Sequence, residues 1–280
     1  MKIDLHTHST HSDGKFSPKQ LIDQAIKLGL EAIALTDHDN FEGLPEAIAY
    51  SRNKNIEFVP GIEFSADPKD LAKEIHIVGL FIDYKNEEVI KLIKHQKEAR
   101  IKTNKKMIKK LNNLGYDLDY ETIARDSNKT IFGRPEIANS LLRKYSQFKD
   151  KGQIFDELLG GNGKAFVKNE STPMKKIVEV IHKAGGVAIL AHPAYLFDNA
   201  EKVIDEFAKL GGDGLEVDCP YNRVIEPQTI RDKFRKIAKE KNLLVSGGTD
   251  FHEEEANLNL GDFGVSELEF NILKSQIKSR

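Results

Sequence analysis

The chain has 280 residues, of which 39% are hydrophobic and 31% charged, a balance typical of a soluble globular protein. A formal net charge of -2 and a pI near 6.5 argue against a general nucleic-acid or membrane binder. No apolar run approaches the roughly 18 residues that span a bilayer, and the start lacks the apolar core of a signal peptide. A single cysteine, Cys219, excludes an internal disulfide, so we expect a protein of the reducing cytoplasm.

Strands and helices alternate along the first 81 residues. Ser17 and Pro18 suit the first turn of a helix that Gly29 ends. Short apolar runs bounded by turn residues favour strands. The predicted elements are a strand at 3–5, a helix at 17–29, a strand at 32–35, a helix at 44–52, and strands at 56–64 and 75–81.

The alternation stops between Asp83 and Ala165, a polar stretch with helical character and no clear strand. From Lys85 to Asn113 it has ten Lys or Arg residues against three Glu. We interpret 83–165 as an inserted helical cap subdomain that covers the mouth of a barrel formed by 1–82 and 166–280. The lysine-rich face is either a solvated surface or one that attracts an anionic substrate.

The alternation then resumes and predicts a parallel sheet with helices outside. The polar residues of interest fall at or just beyond the C-terminal ends of strands, where α/β barrels and open α/β sheets place active sites. The elements predicted here are helices at 173–184, 200–210 and 227–241, and strands at 186–191, 214–217 and 243–246.

Two histidines, His6 and His8, follow the first strand at a spacing of two residues. Alternate side chains of an extended strand share one face, so both imidazoles should point to one place. The pair is either a half-site for a divalent metal or two exposed surface histidines, and this short motif alone leaves both open.

Histidines and carboxylates follow six of the seven predicted strands, which favours a metal cluster. Imidazole and carboxylate ligands without cysteine are typical of open catalytic sites, and nine of them suit two or three ions. Asp13 could instead cap a turn with Gly14, and His76 could be a hydrogen-bonded core residue. His11 stays outside the set, because Asp13 fits the turn position better. The predicted ligands are His6, His8, Asp13, His38, Glu63, His76, His192, Asp250 and His252.

The motifs DLHTHS, SDG, TDHD, GIE, AHP and TDFH, with the isolated His76, resemble the PHP (polymerase and histidinol phosphatase) family of metallophosphoesterases. The similarity covers the chain apart from the insertion. It is most like the bacterial branch that removes the 3′-phosphate of 3′,5′-nucleoside bisphosphates, relatives of which trim short RNA from the 5′ end. The resemblance implies a distorted (β/α)7 barrel with two to three divalent ions, which are Mn, Zn or Fe.

The resemblance also implies how the ligands are shared and which residues are catalytic. The first ion would bind His6, His8, Glu63 and Asp250, the second would bind Glu63, His76 and His192, and the third would bind Asp13, His38 and His252. The predicted catalytic residues are Glu63, Asp13 and His192, with in-line attack on phosphorus by a metal-bridging hydroxide.

A second phosphate on the substrate needs a cationic site away from the metals. Arg134 in the segment FGRP is the first candidate, because arginine binds phosphate through two parallel hydrogen bonds. The segment resembles the GRPH motif of the branch, but Glu136 stands where the motif has histidine, a departure that leaves open both the contact from this position and the substrate. Arg134 could also form a structural ion pair with Glu136. Arg100, in the basic stretch, is a weaker candidate.

We therefore expect a metal-dependent phosphatase that acts on a small phosphorylated substrate, a nucleotide, with no membrane association and no obligate protein partner. Two alternatives share its chemistry: a 5′-3′ exoribonuclease on short RNA that uses the basic insertion as a strand track, and a histidinol-phosphate phosphatase. A non-enzymatic alternative is a catalytically silent PHP module in a larger assembly, but the complete ligand set argues against it.

Overall fold

The protein divides into two compact units, Met1–Ile93 with Thr172–Arg280, and Lys94–Ser171. The predicted limits of the insertion, 83 and 165, lie N-terminal to these division points and stay a prediction, as does the covering role of the cap. The computed structural model describes residues 2–67, 75–127, 129, 131–168, 170, 172–221, 227–254 and 258–279.

Seven strands of the first unit form one sheet in chain order. Neighbouring strands are parallel except at the fourth strand, which is antiparallel to both of its neighbours. The strands are β1 (Ile3–Asp4), β2 (Ala32–Leu35), β3 (Glu57–Ala66), β4 (Ile75–Leu80), β5 (Val187–Leu190), β6 (Gly214–Asp218) and β7 (Leu244–Gly247).

The expectation of an all-parallel sheet is wrong at β4. Only residues 67–74 separate β3 from β4, and a parallel crossover needs about a dozen residues or more. The chain therefore turns back, and Ser65 of β3 lies opposite His76 of β4. His76 lies at the beginning of β4, and the antiparallel direction places it at the edge where β3 ends.

The two ends of the sheet meet and close a barrel. The Leu5 N–H donates to the Gly247 carbonyl at 3.1 Å, and the His8 N–H donates to the Phe251 carbonyl at 2.9 Å. Thr7 and Phe251 also form a parallel bridge. These bonds join the segment after β1 to the segment after β7, so the predicted distorted seven-stranded barrel is confirmed.

Helices follow the strands of this unit. The capping signal at Ser17 is confirmed: the Gln20 N–H donates to Ser17 Oγ at 3.3 Å, and the Ser17 N–H donates to Gln20 Oε1 at 2.8 Å. The helices are α1 (Pro18–Lys27), α2 (Leu44–Ser51), the first part of α3 (Glu87–Asn113), α7 (Met174–Lys183), α8 (Ala200–Lys209), α9 (Pro227–Glu240) and α10 (Glu267–Ser275).

Alternate strand residues supply the two sides of the core, as the period of a strand requires. One buried cluster includes Ile33, Leu35 and Phe64 with the apolar faces of the helices. The other contains small and branched side chains together with two residues of α10. This second cluster consists of Ile3, Leu5, Ala32, Ala34, Val59, Val78, Leu80, Val187, Ile189, Ala191, Val265, Phe270 and Leu273.

The regular secondary structure of the second unit, in the part of it that the structure describes, is all helical, as predicted. Its core gathers buried residues such as Leu111, Phe132, Ile137, Leu141 and Leu159. Its elements are the remainder of α3, α4 (Tyr120–Ser127), α5 (Arg134–Lys144), α6 (Lys151–Ile154) and one π-helical turn (Phe155–Leu159). Across the described residues of both units, no helix is both long and apolar enough to cross a membrane.

Candidate metal centre

The carboxylate of Glu63 lies at the middle of the predicted ligands, fully buried within β3. Its two oxygens face different imidazoles. Oε1 lies 3.0 Å from His76 Nδ1 and 3.1 Å from His192 Nε2. Oε2 lies 2.8 Å from His38 Nδ1, 3.3 Å from His6 Nε2 and 3.3 Å from His8 Nε2. This arrangement suits a carboxylate that bridges two cations.

Four ligand atoms that face one another are buried and have no hydrogen-bond partner. They are His6 Nε2, His8 Nε2, Glu63 Oε2 and Asp250 Oδ1. Asp250 Oδ1 lies 3.4 Å from His6 Nε2 and 3.1 Å from His8 Nε2. Buried polar atoms are normally satisfied, so a set of four unpartnered ones needs an explanation. A divalent cation supplies it, because two imidazole nitrogens and two carboxylate oxygens suit such an ion.

A second group lies around Asp13, where the site is more exposed. Asp13 Oδ1 is 3.2 Å from His252 Nε2 and 3.8 Å from His8 Nδ1, and Asp13 Oδ2 is 3.7 Å from His38 Nε2. The Asp13 side chain is 43% exposed and that of His252 is 31% exposed, whereas Glu63 is inaccessible. A ligand from solvent therefore has access on the Asp13 side.

All nine predicted ligands converge. Three groups have ligand atoms close enough to share an ion: His6, His8, Glu63 and Asp250; His8, Asp13, His38 and His252; and His38, Glu63 and His76. The first group matches the predicted first set. In the other two, His8 joins the Asp13 set and His38 also belongs with Glu63 and His76. His192 lies beside that last group, 3.4 Å from His76 Nδ1.

Two of the ligands have left-handed backbone conformations. His192 has a φ of 29° and Asp250 a φ of 50°. Residues other than glycine rarely adopt such angles, and they cost of order 1–3 kcal/mol each. The surrounding bonds must stabilise these conformations, and such strain at an active site is a common sign of function.

The metal-free cluster is a network of charged pairs. Burial opposes the charged form of His8, but Asp250 and Glu63 outweigh it and raise the pKa of His8 to about 10. In the same way, burial is outweighed by Glu216, Glu63 and Asp250, which raise the pKa of His6 well above its ordinary value. Burial would raise the pKa of Glu63, but His38 and His76 hold it well below its usual range. In the metal-free protein these shifts favour the ionised form of Glu63 and the protonated forms of His6 and His8.

Supporting carboxylates hold the segments that present the ligands. Asp37 accepts hydrogen bonds from the Ser9 N–H and Ser9 Oγ–H at 2.8 and 2.7 Å. Asp4 accepts from the N–H groups of Thr249 and Gly261, at 2.9 and 3.0 Å, and burial raises its pKa to about 6. Sequence reasoning did not assign either residue a role, although both lie inside the quoted motifs DLHTHS and TDHD.

Glu216 is a further residue that sequence reasoning missed. It lies in β6, is only 2% exposed, and its Oε1 is 2.9 Å from His6 Nδ1. The available signal was a carboxylate flanked by Leu215 and Val217 in an otherwise apolar strand, because buried charges need a partner.

The predicted substrate-binding arginines both belong to the second unit. Arg134 begins α5, donates from Nη1 to the Leu159 carbonyl at 3.5 Å, and lies 5.9 Å from the centres of the Phe155 and Phe166 rings. Arg100 lies in α3.

Glu136 has partners of its own, which bears on the alternative that Arg134 forms a structural ion pair with it. Its side chain accepts from Lys129 Nζ at 2.8 Å and from the backbone N–H of the N-cap residue Gly133 at 3.0 Å, as the third helical residue does in a capping box. The roles of Arg134 and Arg100 stay predictions.

In this barrel, imidazoles and carboxylates meet at the strand ends, and the Asp13 side of the group is open to solvent. This arrangement is typical of metal-dependent hydrolases. The family model described as the PHP domain matches residues 4–219. The chain therefore belongs to the PHP family, as its motifs predicted, and is a metal-dependent phosphoesterase.

Two relatives give the family more detail. The chain is 34% identical over 255 residues to a 5′-3′ exoribonuclease of Haemophilus influenzae, covering 90% of each chain. It is 31% identical over 255 residues to a 3′,5′-nucleoside bisphosphate phosphatase of Chromobacterium violaceum, covering 89% of this chain and 87% of the relative.

Solved structures agree with the fold. A protein of Bifidobacterium adolescentis assigned as a metal-dependent phosphoesterase superposes with a TM-score of 0.83 at 26% identity, covering 98% of this chain and 96% of the other. A Chromobacterium violaceum protein named as an amidohydrolase, with bound sulfate, also gives a TM-score of 0.83, at 28% identity, covering 99% and 97%.

Proposed function

We propose that this enzyme hydrolyses the 3′-phosphate of 3′,5′-nucleoside bisphosphates. The observation that carries the proposal is the convergence of four buried, unpartnered ligand atoms beside an exposed Asp13 group, which suits cations that meet a phosphate from solvent. The bisphosphate phosphatase relative supports the choice of substrate.

The residues of the chain have separable tasks in this proposal. Two to three divalent ions, Mn, Zn or Fe, would be held by the nine ligands and would supply Lewis acidity toward phosphoryl oxygens and activation of water. Glu63 holds two groups of ligands together through its separate oxygens. Asp13 and His252 form the accessible edge where the phosphate would enter. His192 orients Glu63 Oε1 from the other side.

Arg134 is the proposed contact for the 5′-phosphate. It lies in the first turn of α5, and the Phe155 and Phe166 rings, each 5.9 Å from its guanidinium carbon, restrict the side chain. Arg100 is the second candidate.

A panel assay with Mn²⁺ tests the proposed substrate. We expect phosphate release from adenosine 3′,5′-bisphosphate at a kcat/KM at least about tenfold above that for histidinol phosphate or 5′-phosphorylated short RNA. If histidinol phosphate or RNA is preferred, the substrate assignment is wrong. If the loaded protein hydrolyses none of the three, the catalytically silent alternative is favoured.

Replacement of Arg134 tests its role. A charge-assisted hydrogen bond to phosphate is worth about 1.5–3 kcal/mol, so Arg134→Ala should raise KM for the bisphosphate roughly 10- to 100-fold and affect adenosine 3′-monophosphate little. Arg134→Lys should recover only part of the loss. Equal effects on both substrates would refute a 5′-phosphate contact.

A 5′-3′ exoribonuclease activity is the second candidate, and charge favours it. Lys94–Ser171 has 17 Lys and Arg residues against 10 Asp and Glu, although the whole chain is slightly acidic. Such asymmetry suits a polyanionic partner, and a relative is named for this activity. We expect RNA cleavage to weaken steeply between 50 and 200 mM salt if this unit binds RNA, and to change little if it does not.

A further inference from the structure

One buried carboxylate contacts two predicted ligands that come from different strands. Glu216 Oε1 lies 2.9 Å from His6 Nδ1, and Glu216 Oε2 accepts the backbone N–H of His192 at 2.7 Å. His6 follows β1, whereas His192 follows β5. Both oxygens are thus engaged with the framework of the cluster, while the nitrogen of His6 that faces Glu63 and Asp250 has no hydrogen-bond partner.

We propose that Glu216 is a positioning residue that fixes two metal ligands at once: the tautomer and ring orientation of His6, and the strained backbone of His192. An ionised carboxylate accepts hydrogen bonds and donates none. The proton on His6 must therefore lie on Nδ1 when a metal is bound. The lone pair of Nε2 is then directed toward the ligand atoms of Glu63 and Asp250. A carboxylate behind a metal-binding imidazole is a known way of setting ligand orientation and basicity.

The second contact of Glu216 answers a different structural need. His192 has a φ of 29°, and its Nε2 lies 3.1 Å from Glu63 Oε1. The bond from its N–H to Glu216 helps to hold this unfavourable conformation, which would otherwise relax and move the imidazole. Glu216 therefore links a ligand of the buried four-atom group to one beside the Glu63–His76 pair.

Glu216→Gln separates these functions from simple packing, because it keeps the shape of the side chain. The amide has one acceptor oxygen and one donor nitrogen. If its oxygen serves His192, its NH₂ faces His6 Nδ1 and favours the tautomer with the proton on Nε2, which cannot bind a metal. If the amide is reversed, its NH₂ opposes the N–H of His192. Either orientation loses one of the two links.

Asp213 provides a matched control at the opposite end of β5. Its Oδ2 is 2.8 Å from His182 Nε2 and accepts the Ala188 N–H at 2.7 Å, so it too pairs with an imidazole and a β5 backbone group. His182 belongs to none of the ligand groups among the described residues. Asp213→Asn makes the same chemical change away from the metal centre.

The experiment measures Zn²⁺ binding by chelator competition, the imidazole N–H signals of the Zn-loaded protein by ¹⁵N NMR, and metal-free thermal stability. It rests on metal dependence of the site and not on the substrate, so its outcome is independent of the substrate panel. For Glu216→Gln we expect about 10- to 100-fold weaker Zn²⁺ affinity and loss of the His6 Nδ1–H signal. For Asp213→Asn we expect Zn²⁺ affinity within about twofold of wild type, and a loss of metal-free thermal stability comparable to that of Glu216→Gln.

Two results would overturn the positioning role. One is wild-type Zn²⁺ affinity with an intact His6 Nδ1–H signal in Glu216→Gln. The other is an equal loss of affinity in Asp213→Asn, which would mean that affinity follows general stability. If Glu216→Gln does not fold, Glu216→Asp replaces it: the shorter carboxylate still accepts but cannot span both partners, so unchanged Zn²⁺ affinity would equally refute the proposal.

Discussion

Metal binding should depend steeply on pH, because protons compete for the buried imidazoles. The pKa of His8 is about 10 in the metal-free protein, and that of His6 is also well above its ordinary value. Both shifts favour the protonated imidazoles, so a metal that binds the two Nε2 atoms must compete with protons. Each displaced proton makes the apparent affinity rise about tenfold per pH unit.

The pKa of His8 alone predicts a rise in apparent Zn²⁺ or Mn²⁺ affinity of about tenfold per pH unit between pH 6 and 8, and the raised pKa of His6 makes the dependence steeper. Calorimetry in buffers of different ionisation enthalpy counts the released protons directly. We expect the release of at least about one proton for each ion that binds to the group of His6, His8, Glu63 and Asp250. Release of no protons, or an affinity that is flat from pH 6 to 8, would refute the charge assignment of His6 and His8.

The same shifts set the stability of the metal-free protein. The raised pKa of His8 means that its contribution is complete below its unfolded value near 6.5 and is lost as the pH rises toward about 10. The lowered pKa of Glu63 means that its contribution is present above its unfolded value near 4.3 and is lost as the pH falls. Metal-free thermal stability should therefore be greatest between about pH 4.5 and 6.5, and stabilisation by added metal should grow above that range.

Three further predictions follow from the geometry of the centre. Glu63→Gln should lower kcat/KM by at least about 10³-fold and reduce the bound metal detected by mass spectrometry. The reason is that each oxygen of Glu63 faces a different set of imidazoles, Oε2 that of His38 and Oε1 that of His76. Full metal content with normal activity would contradict this role of Glu63. Gly248→Ala should lower kcat/KM by about 10²-fold, because its Cβ would lie 2.4 Å from the backbone nitrogen of His6 and would displace that residue. Gly161→Ala is the control and should match wild type, because the space around Gly161 is open. Chelation should abolish activity, and Mn²⁺ at 100 times its Kd should restore it and stabilise the protein by about 2.7 kcal/mol; activity that survives exhaustive chelation would rule out metal dependence.

The sequence by itself determined the class of fold, and it predicted a set of ligands that the structure brings together. Ser17 and Pro18 mark a helix start through local hydrogen bonding, and such signals act within a few residues of chain. Histidines and carboxylates at strand ends are visible because the ends of neighbouring strands meet at one edge. The two-residue period of an extended chain was enough to predict that the side chains of His6 and His8 point to the same place.

Only the tertiary structure decided how the ligands are shared and supported. The direction of β4 depends on the length of a connection and on pairing with β3 and β5, and it brought the beginning of β4, with His76, to the edge where β3 ends. The two oxygens of Glu63 contact different imidazoles, which four separate segments of the chain supply. Glu216 is 210 residues from His6 in sequence, so no local pattern could join them. Burial makes such contacts necessary, because a buried carboxylate must find its partners wherever the fold brings them.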